Sequence, residues 1–258
     1  FVAGDQQWQG KLQTAIVSYA DDAGHQLDLV AAIHIAEPDY YQTLNEYFQS
    51  QDAVLYELVA EPDNRPTPGT TAPDSPLSFI QRTLAGFLDV SFQLQHINYL
   101  SDNFIHADLS PTELDAIMTA KNETFFSMFL SLAMTEMASE QVARTAGESS
   151  PSAFTYLSLM NAMAADDRGQ AFKYLFASEL GRTDSLLSQP EMEQSLTILG
   201  DRNQAALRVL DQTLQRSAVK RLSIFYGAAH MPGLERDIMG RLGFRRTGQI
   251  WLDAWQIP

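Results

Sequence analysis

Short apolar segments of strand length alternate with segments of helical periodicity at both ends of the chain. The strand-like segments at residues 26–35, 53–58 and 221–226 are each followed by a helical segment. Units of strand, helix and strand form parallel sheet, so these segments predict an α/β fold. With 258 residues, of which 45% are hydrophobic, the chain can bury one substantial core.

The predicted central sheet is mixed, because its first part has the pattern of an antiparallel hairpin. Residues 12–19 and 26–35 are strand-like, and the turn-forming residues 21–25 lie between them. A last strand is predicted at residues 247–255. The sheet is therefore expected to draw on both the N-terminal and the C-terminal segments.

A proline-rich loop at residues 61–73 separates the first sheet segment from the middle of the chain and carries four of the eleven prolines. The middle has a helical apolar pattern, and residues 110–115 have the cap and the first-turn proline of a helix start. We therefore expect a single domain with its core in residues 1–61 and 198–258 and a large helical insertion at about 74–197.

The residue composition excludes several classes of site and partner. The chain has no cysteine, so disulfides, thiolate zinc sites and a cysteine nucleophile are excluded, and any metal must bind to histidine and carboxylates. Its 17 lysines and arginines are scattered among 32 acidic residues, which gives a net charge of −15, so nucleic acid is not an expected partner. The most apolar window, residues 125–134, is about half of the roughly twenty residues that cross a bilayer, so no transmembrane segment is expected.

The chain begins at Phe1 and not at a methionine. This start predicts that an upstream segment has been removed or omitted, and an export signal is one candidate. The absence of cysteine is compatible with an oxidising compartment. An exported location, in the periplasm or at the cell surface, is therefore favoured over the cytoplasm, whereas the sequence predicts no particular oligomeric state.

Three familiar catalytic motifs are missing from the sequence. It contains no Gly-x-Ser-x-Gly, no phosphate-binding Gly-rich loop and no His-Glu-x-x-His helix. Their absence disfavours serine hydrolases, P-loop NTPases and thermolysin-type peptidases. A catalytic site in this chain must then be assembled from strands that lie far apart in the sequence.

His34, Glu57 and His230 each lie at the end of a strand-like apolar segment. Open α/β sheets place their chemistry at the carboxyl ends of the strands, so we expect these three side chains to converge. Two imidazoles and one carboxylate bind a divalent ion such as zinc or manganese, leave room for water and lower the pKa of that water. Taken singly, each histidine also fits a hydrogen-bonded core or cap residue, and Glu57 also fits a paired or exposed carboxylate.

The C-terminal region carries three short motifs in a fixed order: an arginine-asparagine pair before a helix, Gly-x-x-His after a strand, and a glycine-aromatic pair near the chain end. They are Arg202-Asn203, Gly227-Ala-Ala-His230 and Gly243-Phe244. This set resembles the C-terminal signature of the TraB/GumN and TIKI families. The similarity extends over roughly residues 26–61 and 198–246.

The N-terminal half agrees with this resemblance. Ala31-Ala-Ile-His34 is similar to the first Gly-x-x-His motif of these families, and Glu57 is similar to the glutamate that ends their second core strand. Two positions depart from the family pattern, because Ala31 replaces the usual glycine and Val59 stands where relatives often carry an acidic residue.

The resemblance implies a metal-dependent hydrolase of the TIKI type, a metallopeptidase that acts on peptides, with manganese or cobalt as the favoured ion. His34, Glu57 and His230 would hold the ion, and Arg202 would stabilise charge at the reacting centre. In the wider fold group, which includes erythromycin esterase-like and ChaN-like proteins, the same histidine and glutamate residues would act as a general base on a small ester without a metal. A third possibility is a non-catalytic binding or regulatory protein that keeps the pocket.

Two further residues are predicted to contact the substrate. Asn203 belongs to the motif before the helix, and His106 precedes a helix start, where it would contact substrate or supply a fourth ligand. Asp108 and Ser110, beside His106, also fit a plain helix cap. Arg202 also fits a cap or a surface ion pair.

Overall fold

The structure is a computed structural model that describes residues 1–67, 69, 91–123, 156–187 and 199–258. Its strands are β1 (Val2–Ala3), β2 (Gly10–Ala20), β3 (Gln26–Ala32), β4 (Ile35–Ala36), β5 (Ala53–Tyr56), β6 (Ser91–Phe92), β7 (Phe104–His106), β8 (Arg221–Gly227) and β9 (Arg245–Ile257). Its helices are α1 (Pro38–Phe48), α2 (Gln93–His96), α3 (Pro111–Ala120), α4 (Tyr156–Ala164), α5 (Arg168–Leu187), α6 (Gly200–Leu214) and α7 (Met231–Arg241), and a 3-10 turn covers Ala228–His230.

The central sheet is mixed, as the sequence predicts. Four neighbouring strands, in the order β3, β8, β5 and β7, run parallel to one another. Strand β2 pairs antiparallel with β3 through the predicted hairpin, and also with β9 and β1. Strand β8, which belongs to the C-terminal segment, lies between β3 and β5 of the N-terminal segment. The two ends of the chain therefore build one sheet.

Both faces of β3, β5 and β8 are buried, which explains their almost continuous apolar sequences. On one face, Phe225 of β8 packs in a core with Tyr41 and Phe48 of α1. On the other face, Ile224 packs in a core with Leu210 of α6. Because helices cover both faces, the only parts of these strands that can present polar groups to solvent are their ends.

The register of the parallel strands brings their carboxyl ends to one edge of the sheet. Ala32 of β3 lies opposite Gly227 of β8, and Tyr56 of β5 lies opposite both Phe225 and His106. The residues that follow each of these strands therefore meet at the same edge, which is where α/β proteins place their functional sites.

The middle of the chain is not wholly helical, and this corrects our prediction of a helical insertion at about 74–197. Strand β7 lies inside that range and pairs with β5 as part of the core sheet. It has only three residues, which is too short to give a recognisable strand pattern, and its pairing with β5 defines it. The described helices α4 and α5 agree with the helical pattern, while residues 74–90, 124–155 and 188–197 of the predicted insertion lie outside the described residues.

The predicted helix start at residues 110–115 is confirmed by α3. The Ser110 hydroxyl accepts a hydrogen bond from the Glu113 amide, and the Glu113 carboxylate accepts one from the Ser110 amide. This reciprocal pair is a capping box. Within the part of the chain that the structure describes, no helix is both long and apolar enough to cross a membrane.

Candidate active site

The three predicted site residues converge beside Gly227, at the carboxyl edge of the parallel strands. A Cβ atom placed on Gly227 would lie 3.3 Å from Glu57 Oε2, 3.7 Å from His34 Nε2 and 3.8 Å from His230 Cδ2. Since Gly227 has no side chain, the space between the three groups stays open. The structure thus brings together His34, Glu57 and His230, which follow three different strands of the sheet.

Glu57 follows β5 directly and its carboxylate is buried. The Glu57 amide donates a hydrogen bond to the Phe225 carbonyl at 3.0 Å, so the residue continues the pairing of β5 with β8. Its Oε2 atom accepts a 2.5 Å hydrogen bond from the Gly227 amide. Its Oε1 atom accepts a 2.7 Å hydrogen bond from Arg202 Nη2. The side chain is only 8% exposed, so the carboxylate is held in one position at the floor of the site.

Arg202, in the first turn of α6, binds a second carboxylate as well. Its Nε donates to Asp108 Oδ1 at 3.0 Å and its Nη2 donates to Asp108 Oδ2 at 2.5 Å. Asp108 follows β7 and its side chain is fully buried. The helix cap that we considered for Asp108 is made by Ser110 alone. Two buried carboxylates, Glu57 and Asp108, therefore share one guanidinium group.

His230 is oriented by Asn203. The His230 Nδ1 atom lies 2.7 Å from Asn203 Oδ1, and Asn203 Nδ2 donates to the His230 carbonyl at 3.4 Å. Because the amide oxygen can only accept, Nδ1 carries the hydrogen and Nε2 keeps a lone pair. That Nε2 atom lies 3.6 Å from Glu57 Oε1. Asn203 is fully buried, which corrects its predicted contact with substrate: it orients His230 instead.

His34 lies two residues beyond β3 and is exposed at the rim of the site. Its Nδ1 atom lies 3.2 Å from Gln93 Oε1. The same reasoning gives a hydrogen on Nδ1 and a lone pair on Nε2, the atom that faces Gly227. Both imidazoles thus present an Nε2 lone pair toward the Glu57 carboxylate.

Burial and the neighbouring charges together leave Glu57 and His230 unprotonated at neutral pH. Burial alone would raise the pKa of Glu57, but the nearby His230, Arg202 and His34 side chains and the Gly227 amide lower it to about 2. Burial lowers the pKa of His230 to about 4, although Glu57 opposes this shift. Because His230 is neutral at pH 7, Arg202 provides the positive charge that pairs with Glu57. Burial opposes that charge, but the hydrogen bonds with Asp108 and the charge of Glu57 raise the pKa of Arg202 further.

His106, predicted as a fourth ligand or substrate contact, makes two contacts within the fold. Its Nε2 atom lies 2.7 Å from the Leu58 carbonyl, to which it donates. Its ring packs edge-on against Tyr56, with 5.7 Å between the centroids. Nε2 is therefore used within the fold, while Nδ1 keeps the lone pair of the neutral ring.

The donor atoms are of the types that bind divalent ions. In the arrangement seen here, the described residues contain no group of three His, Asp or Glu side chains that could hold such an ion. His34 and His230 offer imidazole lone pairs, and Glu57 offers an ionised carboxylate. Val59 supplies no carboxylate to this edge, but Asp108 does. The chemistry of the set thus fits a metal such as manganese, cobalt or zinc.

No protein-family model, curated protein or solved structure matches the chain. The function is therefore inferred from the chemistry of this site and from the sequence motifs that lie in it.

Proposed function

We propose that the protein is a metal-dependent hydrolase that acts on peptides. The observation that carries the proposal is that His230 Nε2, an acceptor at neutral pH, lies 3.6 Å from the anionic Glu57 Oε1 while His34 Nε2 faces the same space. Lone pairs and negative charge this close together repel one another unless a cation or a hydrogen-bond donor lies between them. A bound divalent ion would supply that positive charge.

The charge balance of the buried site supports the same proposal. Glu57 and Asp108 contribute two negative charges, Arg202 contributes one positive charge, and His230 is neutral at pH 7. The site therefore keeps one uncompensated negative charge in a region where burial makes such charge costly. A cation bound by His34, Glu57 and His230 would remove this cost.

The chain's own residues have distinct roles in this proposal. Glu57, His34 and His230 would hold the ion, and when bound the ion would lower the pKa of a water molecule toward neutrality and so supply a nucleophile. Arg202 keeps Glu57 ionised and fixes its orientation. The missing side chain at Gly227 leaves the space between the three ligands open for the ion.

Two observations support a peptide as the substrate class. His34 is exposed at the rim, so an extended chain can reach the site from solvent. The ordered motifs that resemble the TraB/GumN and TIKI families contribute His34, Glu57, Arg202 and His230, all of which lie at this edge. Membership of that group is part of the proposal.

A metal-free esterase is the second candidate. It is supported by the Glu57 carboxylate, which hydrogen bonds from Arg202 and the Gly227 amide hold in position without a metal. A general base works best with a pKa near the operating pH. The pKa of Glu57, about 2, and that of His230, about 4, lie far below 7. Unprotonated groups of this kind are good ligands and poor bases, which places the metal-dependent reaction first.

The test combines metal analysis with activity. Protein purified without chelator should contain one divalent ion per chain and should cleave members of a peptide library in the presence of Mn²⁺. A chelator and the variant His34→Ala should each abolish cleavage. Cleavage of small esters that survives chelation would replace this proposal with the esterase. Metal binding without any turnover would replace it with the binding or regulatory protein.

A further inference from the structure

We infer that Gln93, held by Tyr99, is a positioning residue that fixes the tautomer of His34. The inference about the tautomer depends only on the contacts around His34, while its consequence for metal binding rests on the proposed function. Gln93 lies outside the segments that carry the family resemblance. It belongs to α2, a helix of four residues in the middle of the chain.

The backbone around Gln93 is tied to the backbone around His34. Strand β6 pairs with β4, with Phe92 opposite Ile35. The Gln93 amide donates a 2.9 Å hydrogen bond to the His34 carbonyl. The segment that carries Gln93 is therefore fixed against the segment that carries His34, so the contact between their side chains follows from strand pairing.

The side-chain amide of Gln93 is buried and uses both of its ends. Its Oε1 atom lies 3.2 Å from His34 Nδ1, and its Nε2 atom donates to the Tyr99 hydroxyl at 2.7 Å. Gln93 is 5% exposed and Tyr99 is fully buried, so water does not compete for the contact between them. In this orientation Gln93 can only accept at the imidazole, and Nδ1 must carry the hydrogen.

The contact with Gln93 keeps the hydrogen of His34 on Nδ1, whereas Glu57 would favour it on Nε2. Without an acceptor at Nδ1, His34 would carry its hydrogen on Nε2, directed toward the space that Glu57 Oε2 borders. An imidazole protonated on Nε2 has no lone pair there to bind an ion. Gln93 therefore keeps His34 in the form that can act as a ligand.

His230 has a matching partner in Asn203. Each imidazole places Nδ1 against a buried side-chain amide oxygen, at 3.2 Å for His34 and at 2.7 Å for His230. An amide accepts the hydrogen without adding a negative charge, whereas a carboxylate would favour the imidazolium form. The two amides, from α2 and α6, thus select the same neutral tautomer in both histidines.

The tautomer can be read directly in metal-free protein. The chain has only five histidines, so two-bond ¹H–¹⁵N spectra of the labelled rings at neutral pH are simple, and His34→Ala identifies the His34 signals. We expect the wild-type His34 to carry its hydrogen on Nδ1. In Gln93→Leu the population should move toward the Nε2–H form, and the affinity for Mn²⁺ should fall about 10- to 100-fold.

A matched substitution on the same helix controls for general damage. Gln95→Leu changes the same residue type two positions away and should leave both the tautomer and the Mn²⁺ affinity unchanged. Tyr99→Phe removes only the hydroxyl group that accepts from Gln93, so the amide loses one of its two side-chain contacts and His34 should show a partial shift. This variant also tests the inference if Gln93→Leu does not fold.

The inference is overturned if wild-type His34 carries its hydrogen on Nε2, or if Gln93→Leu and Tyr99→Phe leave its tautomer unchanged in folded protein. These spectra need neither metal nor substrate. Absence of hydrolysis would therefore count against the proposed function alone, whereas a wrong tautomer would count against the role of Gln93 alone.

Discussion

Glu57 and Arg202 form a buried ion pair although 145 residues separate them in the chain, with 2.7 Å between Oε1 and Nη2. Their side chains are 8% and 9% exposed, respectively. Asp108 binds the same guanidinium, so one arginine holds together the ends of β5 and β7 and the start of α6. The same side chain therefore stabilises the fold and orients Glu57 in the candidate site.

Replacing Arg202 with methionine should strongly destabilise the protein. The substitution keeps much of the side-chain length but leaves two buried carboxylates without their cation, which typically costs about 3–5 kcal/mol. The free energy of unfolding, measured with urea, should fall by this amount. The control Arg245→Met breaks a pair with Asp22 that is largely exposed, and it should produce no measurable change. Equal effects of the two substitutions would contradict the role of Arg202.

The free energy of unfolding should fall as the pH is lowered from 7 to 4.5. Burial lowers the pKa of His230 from 6.5 to about 4, so in this interval the unfolded chain binds a proton that the folded protein does not. The loss from this residue should be roughly 2 kcal/mol. Glu57, with its pKa lowered from 4.5 to about 2, should add a further loss below pH 4.5.

The variant His230→Gln isolates this effect, because glutamine does not titrate. Urea unfolding of both proteins at pH 7 and pH 4.5 should show a smaller pH dependence in the variant. An identical dependence in the two proteins would mean that His230 is not the group responsible.

A methyl group at Gly227 should block the site while leaving the fold intact. The backbone φ of Gly227 is −52°, which alanine also adopts, and the new Cβ would lie 3.3 Å from Glu57 Oε2, in the space between the three ligands. Because the buried Glu57 carboxylate must shift slightly, Gly227→Ala should lower the free energy of unfolding by about 1–3 kcal/mol and abolish Mn²⁺ binding in calorimetric titrations.

Gly240 provides the matched control. A Cβ placed there meets nothing within 4 Å, so Gly240→Ala should bind Mn²⁺ like the wild type. Wild-type affinity in Gly227→Ala would show that the ion, if it binds, lies elsewhere.

Divalent ions should stabilise the wild type and not His34→Ala. An ion present at about 100 times its Kd stabilises a folded protein by about 2.7 kcal/mol, which would raise the melting temperature by several degrees. Because His34 is exposed and its side chain makes one hydrogen bond, to Gln93, its replacement should lower the melting temperature of the metal-free protein only slightly. A rise with Mn²⁺ that persists in His34→Ala would contradict the assignment of His34 as a ligand.

The sequence predicted the α/β sheet and the convergence of His34, Glu57 and His230 for one physical reason. Each residue ends a short apolar strand, and parallel strands bring their carboxyl ends to a common edge. Because helices bury both faces of these strands, the strand sequences are apolar and could be recognised. The ligand roles of the three residues stay predictions.

Asp108 and Gln93 were harder to predict, because tertiary contacts give them their roles. Asp108 follows Phe104–His106, a strand of three residues whose pairing with β5 has no local pattern. The strong helix start at Ser110 offered a local explanation for the neighbouring aspartate. A short apolar run followed by a carboxylate, as at Glu57, was the available signal. Gln93 carries no comparable signal, since its importance comes from the pairing of β6 with β4.

The most direct measurement is an anomalous difference map from crystals of the protein that contain saturating Mn²⁺. We predict one peak at the carboxyl edge of the parallel strands, about 2.0–2.2 Å from His34 Nε2, His230 Nε2 and a carboxylate oxygen of Glu57. A map without a peak between these three side chains would contradict the proposal that they form a metal centre.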